Sequence, residues 1–403
     1  MSTDFDPFVL DVDPYPAFAA ARSTGGALVG VPPFPGLHST FYLFTHRLVS
    51  SALKHPLLLQ APPGTYQAVR QSLISNRIHA VLARSLLLAD PPQHGLLRRP
   101  LNQAVTPAKA MELAKSLRTD ALTLATRLAA KGRFDAIRDY AAPLLLDVLG
   151  RLLGMVMPDT GLLKTATASI ARAIDFRRSA VPDDDFRPLE AEIENTLAQG
   201  KFDSDGLVAV MLAEEAAGRW EHDDVVANIL LLLFAGQETT IDAFGNALIA
   251  LDEFPEQRAF IDRGDVDWSL AVEELLRIGT PILYGGVRIA AEDIDIQGFA
   301  VPAGGAVMPV LASANRDIAV ASQGDELRLD AQTSAGMTFG TGFHVCLGRH
   351  LARVELMALF EALFRAVPGW RLDHAAIQMR GTLAFRGVTS APIAVGQPAA
   401  NRA

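Results

Sequence analysis

The longest uncharged helical stretch of the chain runs over thirteen residues, from Val225 to Gln237. A helix needs about 20 apolar residues to span a bilayer, so this stretch is too short to cross a membrane. The helical pattern continues to about Phe254, and a helix that is apolar on all sides is normally buried inside a large protein. The sequence therefore predicts a long central helix in a mainly α-helical fold with small β-sheets.

The composition is that of one large globular body without a nucleic-acid partner. Half of the 403 residues are hydrophobic, and 36 Lys and Arg stand against 45 Asp and Glu, a formal charge of -9. Binding to phosphates depends on clustered basic residues, and the sequence has no basic block. No Gly/Ser linker or charged run marks a boundary, so we expect a single domain over residues 1–403.

Helical periodicity and short β-like runs divide the chain into two kinds of segment. We expect the helical core over roughly residues 92–280 and 346–367, and β-richer parts over roughly 26–60 and 285–340. The uncharged segment 296–315 is long enough to span a bilayer, but its glycines and prolines break a helix. The β-like runs are 40–44, 287–290, 294–301, 307–311 and 382–385.

The sequence indicates neither secretion nor a membrane anchor. The first ten residues include Asp4 and Asp6 and lack a basic segment followed by an apolar one. Cys346 is the one cysteine of the chain, so there is no intramolecular disulfide and no cysteine cluster for a metal. We therefore expect a cytoplasmic protein.

The cysteine lies in a glycine-rich loop directly before a helix. Residues 339–348 read FGTGFHVCLG, and a helical run begins at Arg349. The N-terminus of a helix presents free N–H groups and a positive dipole, which favour a metal-binding thiolate. Gly340 and Gly342 permit a tight loop, and Gly348 leaves room for a flat ligand. A lone cysteine is more often a small buried hydrophobe, but the surrounding spacing decides against that alternative.

This segment resembles the haem-binding signature F-G-x-G-x-H-x-C-x-G of the cytochrome P450 family at every fixed position. The resemblance implies the family's fold, in which haem lies between a central distal helix and a proximal helix after the cysteine loop. It makes Cys346 the thiolate ligand of the iron of haem b, and a thiolate favours O–O cleavage. The residues that it assigns to haem binding are His94, Arg98, Arg288, Phe339, Gly340, His344, Cys346 and Gly348.

Three of these assignments come from segments distant from the cysteine. His94 and Arg98 follow Asp-Pro-Pro-Gln in a stretch that resembles the family's D-P-P-x-H-x-x-x-R segment, and they share one helix face. Arg288, at the start of a β-like run, matches a further arginine of the family. The resemblance implies that all three bind haem propionates, because basic side chains form strong charge-assisted bonds with carboxylates. On the residues alone, a basic surface patch is the alternative.

The central helix carries the sequence AGQETT at residues 235–240, which resembles the oxygen-activation motif of the family. On the residues alone this is an ordinary polar turn, but buried Glu and Thr side chains require partners. Gly236 permits close approach of a ligand, and Thr239 can bond the carbonyl four residues back and open a groove. The resemblance implies that Thr239 hydrogen-bonds the reacting oxygen and Glu238 relays protons, beside Ala235 and Gly236.

Glu274 and Arg277 match the family's E-x-x-R motif, three residues apart on one helix face. An isolated pair of this kind is usually a solvated surface ion pair, whereas the resemblance implies that it braces the loop on the haem side. Segment 318–336 lacks the aromatic and proline residues usual in the family. We expect this segment to pack differently without affecting haem ligation, and Arg328 is a candidate partner for the ion pair.

The resemblance implies a haem-thiolate monooxygenase of the soluble bacterial type. It would use dioxygen and electrons from NAD(P)H, delivered through a ferredoxin and its reductase, to hydroxylate or epoxidise a hydrophobic small molecule such as a terpenoid natural product. Arg349 and Arg353 would dock the acidic ferredoxin. The alternatives are oxidative coupling, desaturation or peroxide-driven oxidation at the same haem, and a haem sensor without turnover. We expect a monomer that binds neither nucleic acid nor membrane.

Family position also predicts a mostly apolar substrate pocket. It includes the loop at residues 62–78 and the strand-like segment 383–385. The individual side chains expected to line it are Phe234, Ile282, Leu283, Tyr284, Val287 and Leu383.

Overall fold

The computed structural model describes residues 5–7, 13–33, 40–60, 77–175, 185–264, 266–321, 324–330, 336–380 and 382–396. Their fold is mainly helical with small sheets, which confirms the predicted class. The helices are α1 (Tyr15–Ser23), α2 (His46–Lys54), α3 (Arg77–Arg84), α4 (Gln93–Ala104), α5 (Pro107–Ala129), a π-helix (Ala136–Ala141), α6 (Ala142–Leu153), α7 (Thr160–Ile174), α8 (Arg187–Ala198), α9 (Leu207–Ala216), α10 (His222–Glu253), α11 (Pro255–Asp262), α12 (Trp268–Ile278), α13 (Leu311–Ala314) and α14 (Arg349–Ala366). Three single 3-10 turns are Met337–Phe339, Gly342–His344 and His374–Ala376.

The strands are short and belong to small sheets. They are β1 (Ala27–Gly30), β2 (Thr40–Leu43), β3 (Leu58–Leu59), β4 (Arg133–Asp135), β5 (Arg288–Ala290), β6 (Ile294–Ile296), β7 (Phe299–Val301), β8 (Ala306–Pro309), β9 (Arg371–Leu372), β10 (Gln378–Met379), β11 (Val388–Ser390) and β12 (Pro392–Ala394). The largest sheet has the order β1-β2-β8-β5-β3, and its β2 and β8 are parallel. A second sheet has the order β4-β12-β9, and β6-β7 and β10-β11 are two-stranded.

The predicted β-like runs differ from the strands in three places. The run 294–301 is two antiparallel strands, because Gln297 and Gly298 adopt positive φ and form a two-residue turn. The run 307–311 ends as a strand at Pro309, and α13 begins at Leu311. Residues 382–385 form no strand; Phe385 makes an isolated bridge with Ile282.

The central helix α10 spans 32 residues, close to the bounds expected from the sequence. A capping box starts it, in which Asp224 accepts a hydrogen bond from the N–H of Glu221 at 2.9 Å. Length and hydropathy would allow this helix to cross a membrane, but 78% of its most apolar window is buried inside the protein. It packs against α3, α6, α7, α9 and α12. It is therefore the core helix around which the others are arranged.

The helix after the cysteine, α14, lies along α5 and also contacts α12 and α10. Aromatic packing secures it, since the ring of Trp268 stacks on that of Phe360 at 5.9 Å with an interplanar angle of 4°. The ring of Phe244 in α10 also contacts the ring of Phe360, with a centroid distance of 4.8 Å. The helix that carries the cysteine loop is thereby held in a fixed position relative to α10.

Candidate active site

A cavity of about 1120 Å³ lies between α10 and the cysteine loop. Cys346 and Gly348 line it from the loop, and Gly236 and Thr239 line it from the central helix. Because these residues come from elements more than one hundred positions apart, only folding brings them together. The cavity therefore has a thiol on one wall and a hydroxyl on another.

Most of the predicted substrate residues line this cavity, and two do not. Phe234, Ile282, Tyr284 and Val287 are among its lining residues, together with Ala384 and Phe385. Leu283 and Leu383 are buried in the surrounding wall, where their N–H groups bond Ala384 O and Asp175 Oδ1. Of the expected loop 62–78, residues 62–76 lie outside the described residues.

The backbone of the cysteine loop is closed in the way its glycines predict. Gly340 and Gly342 have φ of 62° and 74°, and the N–H of Cys346 donates to Phe339 O at 2.9 Å. A Cβ at Gly342 would overlap the main chain at Leu53, so no other residue fits there. A Cβ at Gly348 would meet no atom within 4 Å, which leaves open space beside the thiol.

The helix N-terminus alone does not make Cys346 a thiolate. Burial raises the pKa of the thiol, and this effect outweighs the opposing Gly348 N–H and the charges of Arg98, Arg349 and Arg353. The expectation that the helix end favours the thiolate is confirmed in direction, while burial acts against it. Coordination of a cation deprotonates a thiol outright, so a metal bound at Cys346 would make it a thiolate.

Four basic side chains converge beside the cavity. The rings of His94 and His344 are 4.4 Å apart between centroids. Burial lowers the pKa of His344 to about 3, with further lowering by Arg288, His94 and Arg98. Burial also lowers the pKa of Arg288 to about 10 and that of Arg98. Because Arg98 and Arg288 lower the pKa of both His94 and His344, the cluster is an electrostatic site for an anion.

The partners of these side chains within the chain are incomplete. Among the described residues, Arg288 donates to the carbonyls of Gly286 and Val287, at 3.2 and 3.3 Å. Arg98 donates to Val345 O at 2.6 Å and to Asn102 Oδ1 at 3.0 Å, and in the part of the chain that the structure describes, Nε2 of His94 is buried without a hydrogen-bond partner. An unpaired buried nitrogen costs free energy unless a ligand satisfies it. Carboxylates of a ligand in the cavity would satisfy this group.

The residues present therefore fit a haem. A thiol faces the central helix across the cavity, open space lies over Gly348, and the basic cluster suits two propionate groups. Cys346 would hold the iron, and His94, Arg98, Arg288 and His344 would hold the propionates.

The residues predicted to activate oxygen occupy different sides of α10. Thr239 lines the cavity and donates from Oγ1 to Ala235 O at 2.8 Å. The Glu238 carboxylate points away from the cavity, where it accepts hydrogen bonds from Thr167 Oγ1 at 2.8 Å and from Arg380. A carboxylate in this position acts on the cavity only after its side chain turns.

Gly236 lines the cavity, and its small size also serves helix packing. A Cβ there would lie 2.8 Å from a methyl group of Leu149 in α6. The missing side chain therefore allows two core helices to pack closely, and its role in ligand approach stays a prediction.

The Glu274–Arg277 pair is a buried brace. Its two hydrogen bonds are 2.7 Å long, and the side chains are 0% and 3% exposed. Arg277 also donates to the carbonyls of Asn315, Gly324 and Glu326, at 2.9, 2.6 and 2.7 Å. The pair thus binds the main chain of the segment that lacks the usual family residues.

Arg328 meets the brace through its backbone instead of its side chain. Its N–H donates to Glu274 Oε1 at 2.9 Å, while its guanidinium pairs with exposed Asp330 at 3.1 Å. Arg328 is thus a partner of the ion pair through its main-chain N–H, as expected, and its side chain pairs with Asp330. The change of residue identities is tolerated because main-chain groups of that segment make the contacts.

Sequence reasoning missed a buried acid on the proximal helix. Glu355 lines the cavity and bonds Thr240 of α10, and burial raises the pKa of Glu355 to about 8, so it is mostly protonated near neutral pH. The sequence could have predicted that Glu355 faces the cavity, because it follows Gly348 and Leu351 at helical spacing and shares one helix face with them. Glu355 is a second ionisable group within reach of the cavity.

Part of the apolar wall was also missed. Leu86, Leu87, Leu88 and Ala89 line the cavity from the segment before α4, and Ala243 lines it from α10. The α10 residue was predictable, because it follows Thr239 at helical spacing. The segment before α4 carries no comparable periodic signal.

Comparisons with known proteins identify the family of the chain. The cytochrome P450 family model matches residues 269–366. The chain is 31% identical over 318 residues to the vitamin D(3) 25-hydroxylase of Pseudonocardia autotrophica, with 77% of this chain and 78% of that protein covered. It is 32% identical over 326 residues to the 20-oxo-5-O-mycaminosyltylactone 23-monooxygenase of Streptomyces fradiae, with 78% and 75% covered. The crystal structure of CalO2 matches with a TM-score of 0.85 at 26% identity, with 98% of this chain and 99% of that chain covered.

The chain belongs to the cytochrome P450 family, whose members are haem-dependent oxidoreductases. It is a bacterial-type P450 monooxygenase, an enzyme that uses dioxygen and a redox partner to oxidise a small substrate.

Proposed function

We propose that this monooxygenase hydroxylates or epoxidises a hydrophobic natural product, with electrons from NAD(P)H through a ferredoxin and its reductase. The observation that carries the proposal is that Cys346 and Thr239 line one cavity from opposite elements. A ligand that binds iron on one side and a hydroxyl that bonds oxygen on the other are the two requirements of this chemistry.

Each polar residue of the site has a separate role. Haem bound through Cys346 would supply the oxygen chemistry, because the thiolate donates electron density to the iron. His94, Arg98, Arg288 and His344 fix its orientation by binding its carboxylates. Thr239 is anchored by its bond to Ala235 O, so the lone pairs of its hydroxyl oxygen remain available toward the cavity. Glu238 takes up a proton on the far side of α10 and releases it toward Thr239.

The substrate class follows from the wall of the cavity. The rings of Phe234 and Phe385 meet edge to face at 5.8 Å, and Ile282 and Val287 add aliphatic surface. A wall of this kind binds apolar molecules and orients them by shape. The relatives are named for a vitamin D(3) and for a mycaminosyltylactone, which supports a natural product of considerable size.

The face of the cysteine loop suits an acidic electron donor. Arg349 donates to Cys346 O at 3.3 Å, and Arg353 pairs with Glu273 and lies 4.4 Å from the ring centroid of Phe339. Both guanidinium groups are partly satisfied and lie close to the thiol, where a ferredoxin would deliver electrons. We place this enzyme in the cytoplasm as a monomer, in agreement with its single cysteine.

Turnover under labelled dioxygen tests this function. A screen of hydrophobic natural products by the Soret shift of the haem-loaded protein identifies a substrate, which is then turned over with ferredoxin, reductase and NADPH. We expect one labelled oxygen atom in the product. An oxidised product without label contradicts monooxygenation and indicates desaturation or coupling, and no substrate-dependent NADPH consumption indicates a haem sensor.

The Cys346→Ala variant is the control for the haem ligand. We expect it to lose the long-wavelength Soret band of the reduced carbon monoxide complex and to lose turnover. An unchanged spectrum contradicts the assignment of Cys346 as ligand.

A further inference from the structure

Behind α10, on the side away from the cavity, three charged side chains and one hydroxyl form a cluster. Arg380, in the loop between β10 and β11, donates from Nη2 to Asp242 Oδ1 at 3.0 Å and from Nε to Asp242 Oδ2 at 3.1 Å. The same Nη2 donates to Glu238 Oε2, and Thr167 of α7 donates to Glu238 Oε1 at 2.8 Å. Asp242 and Glu238, one helical turn apart, thus share one guanidinium nitrogen.

The cluster is largely shielded from water. The side chains of Arg380 and Glu238 are 13% and 11% exposed, and that of Asp242 is 1% exposed. The main chain at Gly387 covers the Asp242 carboxylate so closely that a Cβ there would overlap it. Electrostatic interactions are stronger in such an environment than in water.

The charges of the cluster do not balance when both carboxylates are ionised. Burial raises the pKa of Asp242 to about 7; the charge of Arg380 opposes this shift and that of Glu238 adds to it. Charged groups of the neighbouring π-helix region bind elsewhere, since Arg138 donates to Gln378 and Asp135 accepts from Ser390. Among the described residues, the charges that act on Asp242 are those of Arg380 and Glu238.

We propose that Asp242 is a positioning residue for Glu238: the two carboxylates compete for Arg380, and ionised Asp242 frees Glu238 to turn toward the cavity. The inference rests on the proton-relay role proposed for Glu238. When Asp242 is protonated, Arg380 pairs with Glu238 and holds it behind α10. When Asp242 is ionised, it binds Arg380 through two donors, and Glu238 keeps the single bond from Thr167. The proton lost by Asp242 passes to water at the exposed edge of Arg380.

The Asp242→Asn variant removes the competition while it keeps the shape of the side chain. Arg380 then pairs with Glu238 at every pH. We therefore expect kcat at about pH 8 to fall roughly tenfold with KM unchanged. This loss is part of the ~100-fold or more in rate that a positioned acid contributes. The wild-type rate should rise with pH through about 7, and the variant should show no such rise. Asp223→Asn, at an exposed position of the same helix, should behave as the wild type. A wild-type profile in Asp242→Asn overturns the proposal.

A second measurement needs no substrate and no variant. Infrared spectra of the haem-loaded protein with 13C-labelled aspartate report protonated aspartate carboxyl groups separately from Glu355. We expect one such band to disappear as the pH rises through about 7. If the wild-type spectrum shows no protonated aspartate band that disappears over this pH range, the proposal is overturned, even where Asp242→Asn does not fold.

The Glu238→Gln variant separates this inference from the proposed function. If Glu238→Gln turns over at the wild-type rate, Glu238 is not the relay, and the inference fails with that role even if the Asp242 band still titrates. If Glu238→Gln is slow and Asp242→Asn is not, the relay stands and the positioning role of Asp242 is wrong.

Discussion

At the scale of single residues, the hydroxyl of Thr239 is a polar group of α10 that the sequence motif predicts and that lines the cavity. Its carbonyl partner, Ala235 O, belongs to the same helix, so the bond forms wherever a threonine occupies such a position. Thr126 makes the same bond to Leu122 O at 2.8 Å on the exposed side of α5. The function of Thr239 therefore depends on its place in the cavity and not on the bond.

Thr239→Ala is expected to uncouple the enzyme. Without the hydroxyl, proton delivery to the reacting oxygen is misdirected, so product formed per NADPH should fall roughly tenfold and hydrogen peroxide should rise. Haem content should be unchanged. Parallel assays of product, peroxide and NADPH measure this, with Thr126→Ala as the matched control. Full coupling in Thr239→Ala would remove that residue from the relay.

Glu355 is expected to make stability depend on pH. Its folded-state pKa of about 8 lies above the ordinary value of 4.5 for a glutamate, so the folded state binds more protons than the unfolded state between these values. The stability it contributes is present below about pH 4.5 and is lost as the pH rises through about 8. Glu355→Gln should remove this loss, which amounts to several kcal/mol at ~1.4 kcal/mol per pKa unit.

Urea unfolding at a series of pH values measures the contribution of Glu355. Glu256→Gln, at an exposed position of α11, is the control and should leave the pH dependence as in the wild type. Identical pH profiles for the wild type and Glu355→Gln would show that Glu355 is not protonated in the folded state.

At the scale of elements, α12 is attached to the segment after α13 through Arg277. Loss of the guanidinium leaves the carboxylate of Glu274 buried without its charge partner and three main-chain carbonyls without their donor. Arg277→Ala should therefore lower the free energy of unfolding by about 3–5 kcal/mol. Arg277→Lys should restore little of it, because an ammonium group lacks the planar set of donors.

Denaturant unfolding of the haem-loaded protein is the measurement for Arg277. The control is Arg328→Ala, which removes an exposed pair with Asp330 and should cost less than about 1 kcal/mol. Equal losses in the two variants would contradict the bracing role.

Helical elements were predicted more accurately than strands. The pattern predicted α10 and α14 within three residues of their bounds, because apolar periodicity reflects contacts with the whole core. Strands β9 and β10 have two residues each and carry no pattern of their own. Such strands exist because a neighbouring chain segment pairs with them, as β12 does with β9.

At the scale of the whole molecule, the basic cluster is expected to make the protein depend on haem for stability. The buried charges of Arg98 and Arg288 lie beside His94 and His344, and propionates would compensate them. Removal of haem should lower the Tm by several degrees at least. Arg288→Leu should raise the Tm of the haem-free protein and weaken haem binding, because it removes a buried charge.

Thermal unfolding of haem-loaded and haem-free protein, with a haem titration, tests this dependence. Arg47→Leu, at an exposed position of α2, should change neither the Tm gap nor haem affinity. A Tm gap in Arg288→Leu as large as that of the wild type would contradict a role of this arginine in propionate binding.

The sequence by itself determined the ligand loop, the central helix and the motif residues, because these depend on spacing within one segment: glycines that allow positive φ, a cysteine before a helix, and apolar residues at helical period. Only the tertiary structure decided that Glu238 faces Thr167 and Arg380 instead of the cavity, and that Asp242 shares the same arginine. These partners lie 71 and 142 residues from Glu238 along the chain. Local pattern carries no information about such pairs, since their contact exists only when distant helices and hairpins pack together.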